Sequence, residues 1–273
     1  HIGDMKTGTT SIQEFFSLSN HQLEDEGIFF PNFGIYKEKG DSDRTSGHWP
    51  IFKSIKNKEL SEINHYSDLI NESFSNNPKL HTLMLSSENI FDQYELNDIK
   101  LLKSQIKDFS CNLVLCLRNP YEWMWSKYVE DVAGGNLRET RDFETFIFSN
   151  FKDGIYNRIT MLNNWDKVFG KQVNIILYNK NTFFNDFLKL INENIKFSDD
   201  LTANLNFNKS YLTPGKVELL RLFNLNYKFN KNYSDGLKRF KNSISNISLS
   251  SEYFLPEKSK QEINELLKLS IQK

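Results

Sequence analysis

The residues best equipped for chemistry open the chain: His1-Ile2-Gly3-Asp4-Met5-Lys6-Thr7-Gly8-Thr9-Thr10-Ser11-Ile12-Gln13-Glu14-Phe15-Phe16. Gly3 and Gly8 let the backbone curl with its N–H groups turned inward, and Lys6 places a positive charge inside the curl. Thr9, Thr10 and Ser11 bring hydroxyls to the point where an amphipathic helix begins. A helix N-terminus presents unpaired donors and a partial positive charge, so the natural guest of such a turn is a phosphate or a sulfate. The glycine frame Gly3-x-x-x-x-Gly8 is that of a Walker A loop, but Thr9 stands where a nucleotide triphosphatase has its lysine, and the lysine lies inside the loop instead.

Three further places carry reactive or anion-binding side chains. Asn112 to Leu117 reads as a central strand and runs into Arg118-Asn119-Pro120, followed by Tyr121 to Tyr128. Pro120 has its φ preset for the first turn of a helix, so Arg118 is held at the strand end while Ser126 lies on the helix. A guanidinium offers a planar fork to phosphate oxygens, and a hydroxyl adds a directed donor. The buried strand Leu80 to Leu85 ends in Ser86-Ser87-Glu88-Asn89. Ligand crevices of open parallel sheets lie at the carboxyl ends of strands, so Glu88 is placed either as a general base or as the cap of a helix near Asn89 to Tyr94. His48, in Ser46-Gly47-His48-Trp49-Pro50, is either a second proton acceptor facing an acceptor molecule or a capping and packing residue at a helix entry.

These residues need a frame, and the periodicities supply one. Helical spacing marks Ser11 to about His21, a segment through Ile51, Phe52 and Ile55, residues 60–76, Leu96 to Phe109, the helix from Pro120, Phe143 to Phe151, residues 154–170, Phe183 to Ile191 and about Gly215 to Asn224. Strand patterns mark 27–31, 80–85, 112–117 and Val173 to Tyr178. Residues 34–50 read as an exposed loop, and 225–250 as an Asn-, Lys- and Ser-rich tail without a motif, before a last helix from Pro256. Helices alternating with strands imply a three-layer α/β/α fold with a central, mainly parallel sheet. At 273 residues, 1–273 is read as one domain whose first strand is truncated before His1. Tyr121, Trp125 and Tyr128 share a helix face and suit a core or an acceptor cleft, and Arg138 and Arg141 suit an anion contact or a solvated surface.

Bulk properties exclude several classes. The 34 basic and 35 acidic residues nearly cancel, so the chain has no global field of the kind a nonspecific nucleic-acid binder uses, and anion recognition must be local. Cys111 and Cys116 face opposite sides of a strand and read as small core residues rather than a bridge, which suits a cytoplasmic location. No clustered Cys/His set suggests a metal, and no apolar run approaches the roughly 20 residues of a transmembrane helix.

The string Lys6-Thr7-Gly8-Thr9-Thr10-Ser11, followed after the central strand by Arg118-x-Pro120 and Ser126, resembles the signature of sulfotransferases that use 3′-phosphoadenosine 5′-phosphosulfate (PAPS), in the form common in bacterial members. The likeness runs through at least residues 1–180. It implies a P-loop-like sulfotransferase fold and transfer of a sulfuryl group from PAPS to a hydroxyl or amine of an acceptor, releasing PAP. A carbohydrate is the leading acceptor, with lipid and small metabolite open. By the same resemblance Lys6, Thr7, Gly8, Thr9, Thr10 and Ser11 hold the 5′-phosphosulfate, Arg118 and Ser126 hold the 3′-phosphate, and Tyr156 approaches the adenine. Lys209 and Ser210 lie near phosphate or form a plain helix cap. Lys6 is also the catalytic cation, and Glu88 or His48 the base. The scheme needs no metal and no nucleic-acid partner. Its rivals are a P-loop kinase or hydrolase, which would require Mg²⁺, and a catalytically inactive nucleotide-binding module.

Overall fold

The computed structural model describes residues 1–4, 6–35, 47–88, 90–134, 137–151, 157–191 and 212–245. The chain divides into two compact units, His1–Asn119 with Thr160–Phe207, and Pro120–Ile159 with Asn208–Lys273.

The first unit is built on parallel strands. β1 (Ile28–Phe29) pairs with β2 (Thr82–Leu83), and β3 (Leu113–Leu117) pairs with β4 (Val173–Leu177), both in parallel. The chain's opening residues join these two small sheets. On one side the His1 nitrogen donates to the Leu85 carbonyl at 2.7 Å, and Ser87 N–H donates to the His1 carbonyl at 3.0 Å. On the other, Ile2 N–H reaches the Val114 carbonyl at 3.0 Å and Asp4 N–H the Cys116 carbonyl at 3.3 Å. Residues 1–4 therefore lie between the end of β2 and β3 and lead into the Gly3–Gly8 turn.

Both faces of this sheet are covered, as a parallel sheet requires. Alternation along β3 sends Val114 and Cys116 to one side and Leu113 and Leu115 to the other. The first side packs against α1 (Thr9–Leu18), α2 (Asn20–Asp25) and α10 (Phe183–Ile191) through Ile12, Phe15, Phe16, Leu23, Phe183 and Phe187. The second meets α3 (Trp49–Asn57), α5 (Ile90–Gln93), α6 (Leu96–Gln105) and the later part of α9 (Asn157–Phe169). The long α4 (Leu60–Asn76) packs on α3 and has no fully buried residue. The unit is thus the expected three-layer α/β/α arrangement.

The second unit is helical, with α7 (Pro120–Ala133), α8 (Phe143–Phe151), α11 (Pro214–Tyr227) and α12 (Tyr233–Ser245) around one core. Trp123 and Tyr128 are buried, and Tyr121, Trp125 and Tyr128 all pack their rings on Phe143. Of the two readings of these aromatics, the core is the one observed. Asn224 is fully buried and fully used: its amide donates to the Val132 and Glu139 carbonyls at 2.9 and 3.0 Å and accepts from the Tyr233 hydroxyl at 2.5 Å. Arg138 donates to the Lys228 carbonyl and lies 4.0 Å over the Tyr233 ring, while Arg141 pairs with Glu139, so both arginines tie this unit together. α12 falls in the stretch whose composition predicts a motif-free tail. Tyr233, Leu237, Phe240 and Ile244 form its apolar stripe, diluted in sequence by the Lys and Asn between them.

Among the described residues no helix is long and apolar enough to cross a membrane. Cys111 and Cys116 are both free, and burial raises the Cys116 thiol to about 12.

Trp165 is the keystone of the second face of the sheet: it is fully buried, stacks with Tyr94 and Phe169, and donates its indole N–H to the Phe91 carbonyl at 3.3 Å. Trp165→Ala should cost about 3–5 kcal/mol, the range for deleting a buried aromatic. Urea unfolding followed by far-UV circular dichroism measures this, and a loss under about 1 kcal/mol would show that the packing around Trp165 is not what holds the unit.

Candidate active site

Three of the four parallel strands of the first unit lead into a residue that meets the opening turn of the chain. Residues 1–4 lead into the Gly3–Gly8 turn, β2 leads to Glu88, β3 to Arg118, and β4 to Tyr178.

The turn is a wound backbone loop. Lys6 and Gly8 have φ of 66° and 78°, in the left-handed region that disfavours a side chain, and Gly8 leads directly into α1. The Gly8 carbonyl accepts from the N–H groups of Ser11 and Ile12 at 3.1 and 3.3 Å, which starts the helix. No side chain caps this end, and no acidic residue stands in its first turn. The helix N-terminus therefore keeps its capacity for an anion. Close packing explains the glycines. A Cβ on Gly3 would lie 2.4 Å from Thr9 Cγ2, and one on Gly8 would lie 2.9 Å from a Phe183 ring carbon and 3.0 Å from a Tyr178 ring carbon.

The hydroxyls divide into two roles. Thr7 is completely buried and donates to the Asp4 carbonyl at 2.5 Å, so its side chain closes the turn from beneath. Thr10 and Ser11 are half-buried at the start of α1. Thr9 donates its hydroxyl to the Glu88 carboxylate, a contact that brings the end of β2 onto the anion turn. Glu88 is half-buried.

Arg118 reaches the same turn from the other side. Its Nη1 donates to the Lys6 carbonyl at 3.3 Å, and its guanidinium lies 5.2 Å from the centroid of the Tyr178 ring. Tyr178 is held by its own N–H, which donates to the Leu117 carbonyl at 2.6 Å, and its ring packs on Phe183 at 5.0 Å. Sequence reasoning passed over Tyr178 and Phe183. One signal was present for Tyr178: it follows the fourth strand directly, as Arg118 follows the third.

His48 sits apart from the turn. It is fully buried, its Nδ1 accepts from Ser86 N–H at 3.1 Å, its Nε2 donates to the Pro31 carbonyl at 2.9 Å, and its ring meets Phe30 edge-on. Burial drives its pKa down to about 4, against the pull of those two backbone bonds, so the imidazole is neutral at physiological pH. With both ring nitrogens engaged by main chain, His48 has neither the exposure nor a vacant lone pair to take a proton from an acceptor. Of its two readings, the geometry matches packing at a helix entry, although the side chain makes no cap bond to the helix.

Ser126 is half-buried on α7, within the second unit. Tyr156, Lys209 and Ser210 lie outside the described residues.

The structure thus brings Lys6, Gly8, Thr9, Glu88, Arg118 and Tyr178 to one place: an uncapped helix start between a carboxylate on one flank and a guanidinium on the other. Such an arrangement has donors that suit an oxyanion and a carboxylate beside them. No curated protein and no solved structure gives a significant match to the chain. A family profile, that of the sulfotransferase domain, matches residues 2–197, well over half of the chain and including the turn, Glu88, Arg118 and Tyr178. The chain belongs to the sulfotransferase-domain family.

Proposed function

We propose that this protein uses PAPS as its sulfuryl donor, transfers the group to a hydroxyl or amine of an acceptor, foremost a carbohydrate, and releases PAP. The observation that carries the reading is the Arg118 guanidinium resting on the Lys6 carbonyl, which sets a cationic side chain against an anion turn that itself carries a lysine. A donor with phosphate groups at both its 5′ and 3′ positions requires two cationic sites within the reach of one nucleotide.

In this reading the backbone of the turn, with Gly8, Thr9, Thr10 and Ser11, holds the 5′-phosphosulfate, and Thr7 shapes the turn from below. Lys6 neutralises charge that develops on the bridging oxygen as the sulfur–oxygen bond to phosphate breaks. Such a cation is effective because it is already aimed where charge appears. Arg118 takes the 3′-phosphate, a role the family resemblance extends to Ser126. Glu88 accepts the acceptor's proton as the new sulfur–oxygen or sulfur–nitrogen bond forms, and the electron pair of the broken bond leaves with PAP. The Thr9 contact, which holds the carboxylate beside the turn, supports that role. His48 takes no part in proton transfer.

Three variants test the assignment. Lys6→Ala should lower kcat about 10²–10³-fold, the scale for removing one preorganised charge donor, with PAP affinity changed far less; unchanged turnover of labelled PAPS would remove Lys6 from the mechanism. Arg118→Ala should weaken PAP about 10–100-fold, the worth of a charge-assisted hydrogen bond, and leave adenosine 5′-phosphosulfate nearly unaffected. Equal losses for both nucleotides in calorimetry would show that Arg118 supports the turn and does not read the 3′-phosphate. Glu88→Gln should lower kcat by about 10²–10⁴ yet bind PAP at least as tightly as the parent, because a negative charge beside the anion turn is gone. Retained turnover would exclude Glu88 as the base and an inactive module alike.

A further inference from the structure

Glu88 lies in a short connection between β2 and α5, where the opening residue of the chain holds the backbone at Leu85 and Ser87 but reaches neither Ser86 nor Glu88 through its main chain. Something else must hold it, because a proton acceptor misplaced by an ångström loses much of its effect. The carboxylate end is held by the Thr9 hydroxyl. The backbone end is held two residues earlier, at Ser86, by an unusual concentration of contacts.

His48 grips the Ser86 residue twice. Its own N–H donates to the Ser86 carbonyl at 2.7 Å, and its Nδ1 accepts from the Ser86 N–H at 3.1 Å. The far side of the ring is anchored in turn, with Nε2 donating to the Pro31 carbonyl just beyond β1 at 2.9 Å. The approach is so close that a Cβ on Gly47 would fall 2.2 Å from the Ser86 carbonyl oxygen, and Gly47 adopts a φ of 63° to permit it. The Ser86 hydroxyl is also engaged, by His1 Nδ1 at 2.8 Å and by the Gln13 amide of α1 at 3.2 Å. Ser86, Ser87 and His48 are all completely buried.

A capping histidine at the start of α3 needs none of this; its side chain makes no cap bond to the helix it begins. The imidazole is spent instead on the strand end that delivers Glu88. We propose that His48 is a positioning residue for the Glu88 carboxylate, acting through the Ser86 peptide. This rests on the reading of Glu88 as the proton acceptor. The Nδ1 bond is the operative one, since it fixes Ser86; the Nε2 bond only orients the ring.

The two nitrogens can be replaced one at a time. His48→Asn keeps an acceptor where Nδ1 stands, and His48→Gln keeps a donor where Nε2 stands. Both should lower the melting temperature by a similar amount, because each loses one buried hydrogen bond. They should part in turnover: His48→Asn should keep kcat within about threefold, and His48→Gln should lose about tenfold or more, with PAP affinity unchanged in both. A merely structural histidine would lower activity equally in the two variants, in step with stability, and that result overturns the inference. Glu88→Gln run beside them separates the failures. If it keeps full turnover, the proton-acceptor reading falls and takes this inference with it. If it is inactive while the two His48 variants are alike, only the positioning role falls. Should neither His48 variant fold, nitrogen-15 NMR of histidine-labelled parent protein decides: a neutral ring protonated on Nε2 with Nδ1 as acceptor is expected, and protonation on Nδ1 overturns the proposal.

Discussion

Four residues at the beginning of the chain hold the first unit together. His1 is hydrogen-bonded to Leu85 and Ser87 on one side, and Ile2 and Asp4 to Val114 and Cys116 on the other. Without that insertion β1–β2 and β3–β4 are two separate ribbons of two strands each, a size that is marginal in water. With it they become one sheet, and the ends of its strands are brought level. The anion turn follows directly from the inserted segment, so its position between Glu88 and Arg118 is a consequence of which two strands residues 1–4 separate. The site is a property of strand order before it is a property of any side chain.

Much of this was legible in sequence, for identifiable reasons. The helices 60–76, 143–151 and 183–191 agree with Leu60–Asn76, Phe143–Phe151 and Phe183–Ile191 residue for residue, because proline, glycine or polar clusters bound each of them. The Gly3–Gly8 turn and Arg118 were legible because glycine spacing and a strand followed by Arg-x-Pro constrain backbone directly. Two things were not. Tyr178 touches Arg118 and crowds Gly8 through tertiary contacts that no local pattern encodes. The fate of His48 depends on Ser86 and Pro31, which reach it from two different strand ends. A histidine before a helix looks the same whether its ring meets solvent or main chain; only the partners decide, and they are distant in sequence.

The region around the turn is also unusual in its balance of charge. The whole chain is close to neutral, with 34 basic and 35 acidic residues, so recognition of an anionic donor must come from the arrangement of a few groups. Lys6 and Arg118 supply formal charge, and the uncapped start of α1 supplies partial charge. Tyr178 and Phe183 exclude any side chain at Gly8, which keeps the backbone donors accessible and close.

Glu88 runs against that pattern: a carboxylate hydrogen-bonded to the first residue of the helix whose N-terminus is the anion site. In the free protein it is favourably placed, since a negative charge near a helix start is stabilised. Under the proposed reading, a bound phosphosulfate adds negative charge beside it. Like charges brought together repel, so in that reading the carboxylate opposes the donor it stands beside. Under the proposed reading, a carboxylate set inside an anion cradle gives up some affinity for the donor and in exchange stands, held by Thr9, beside the group to be transferred.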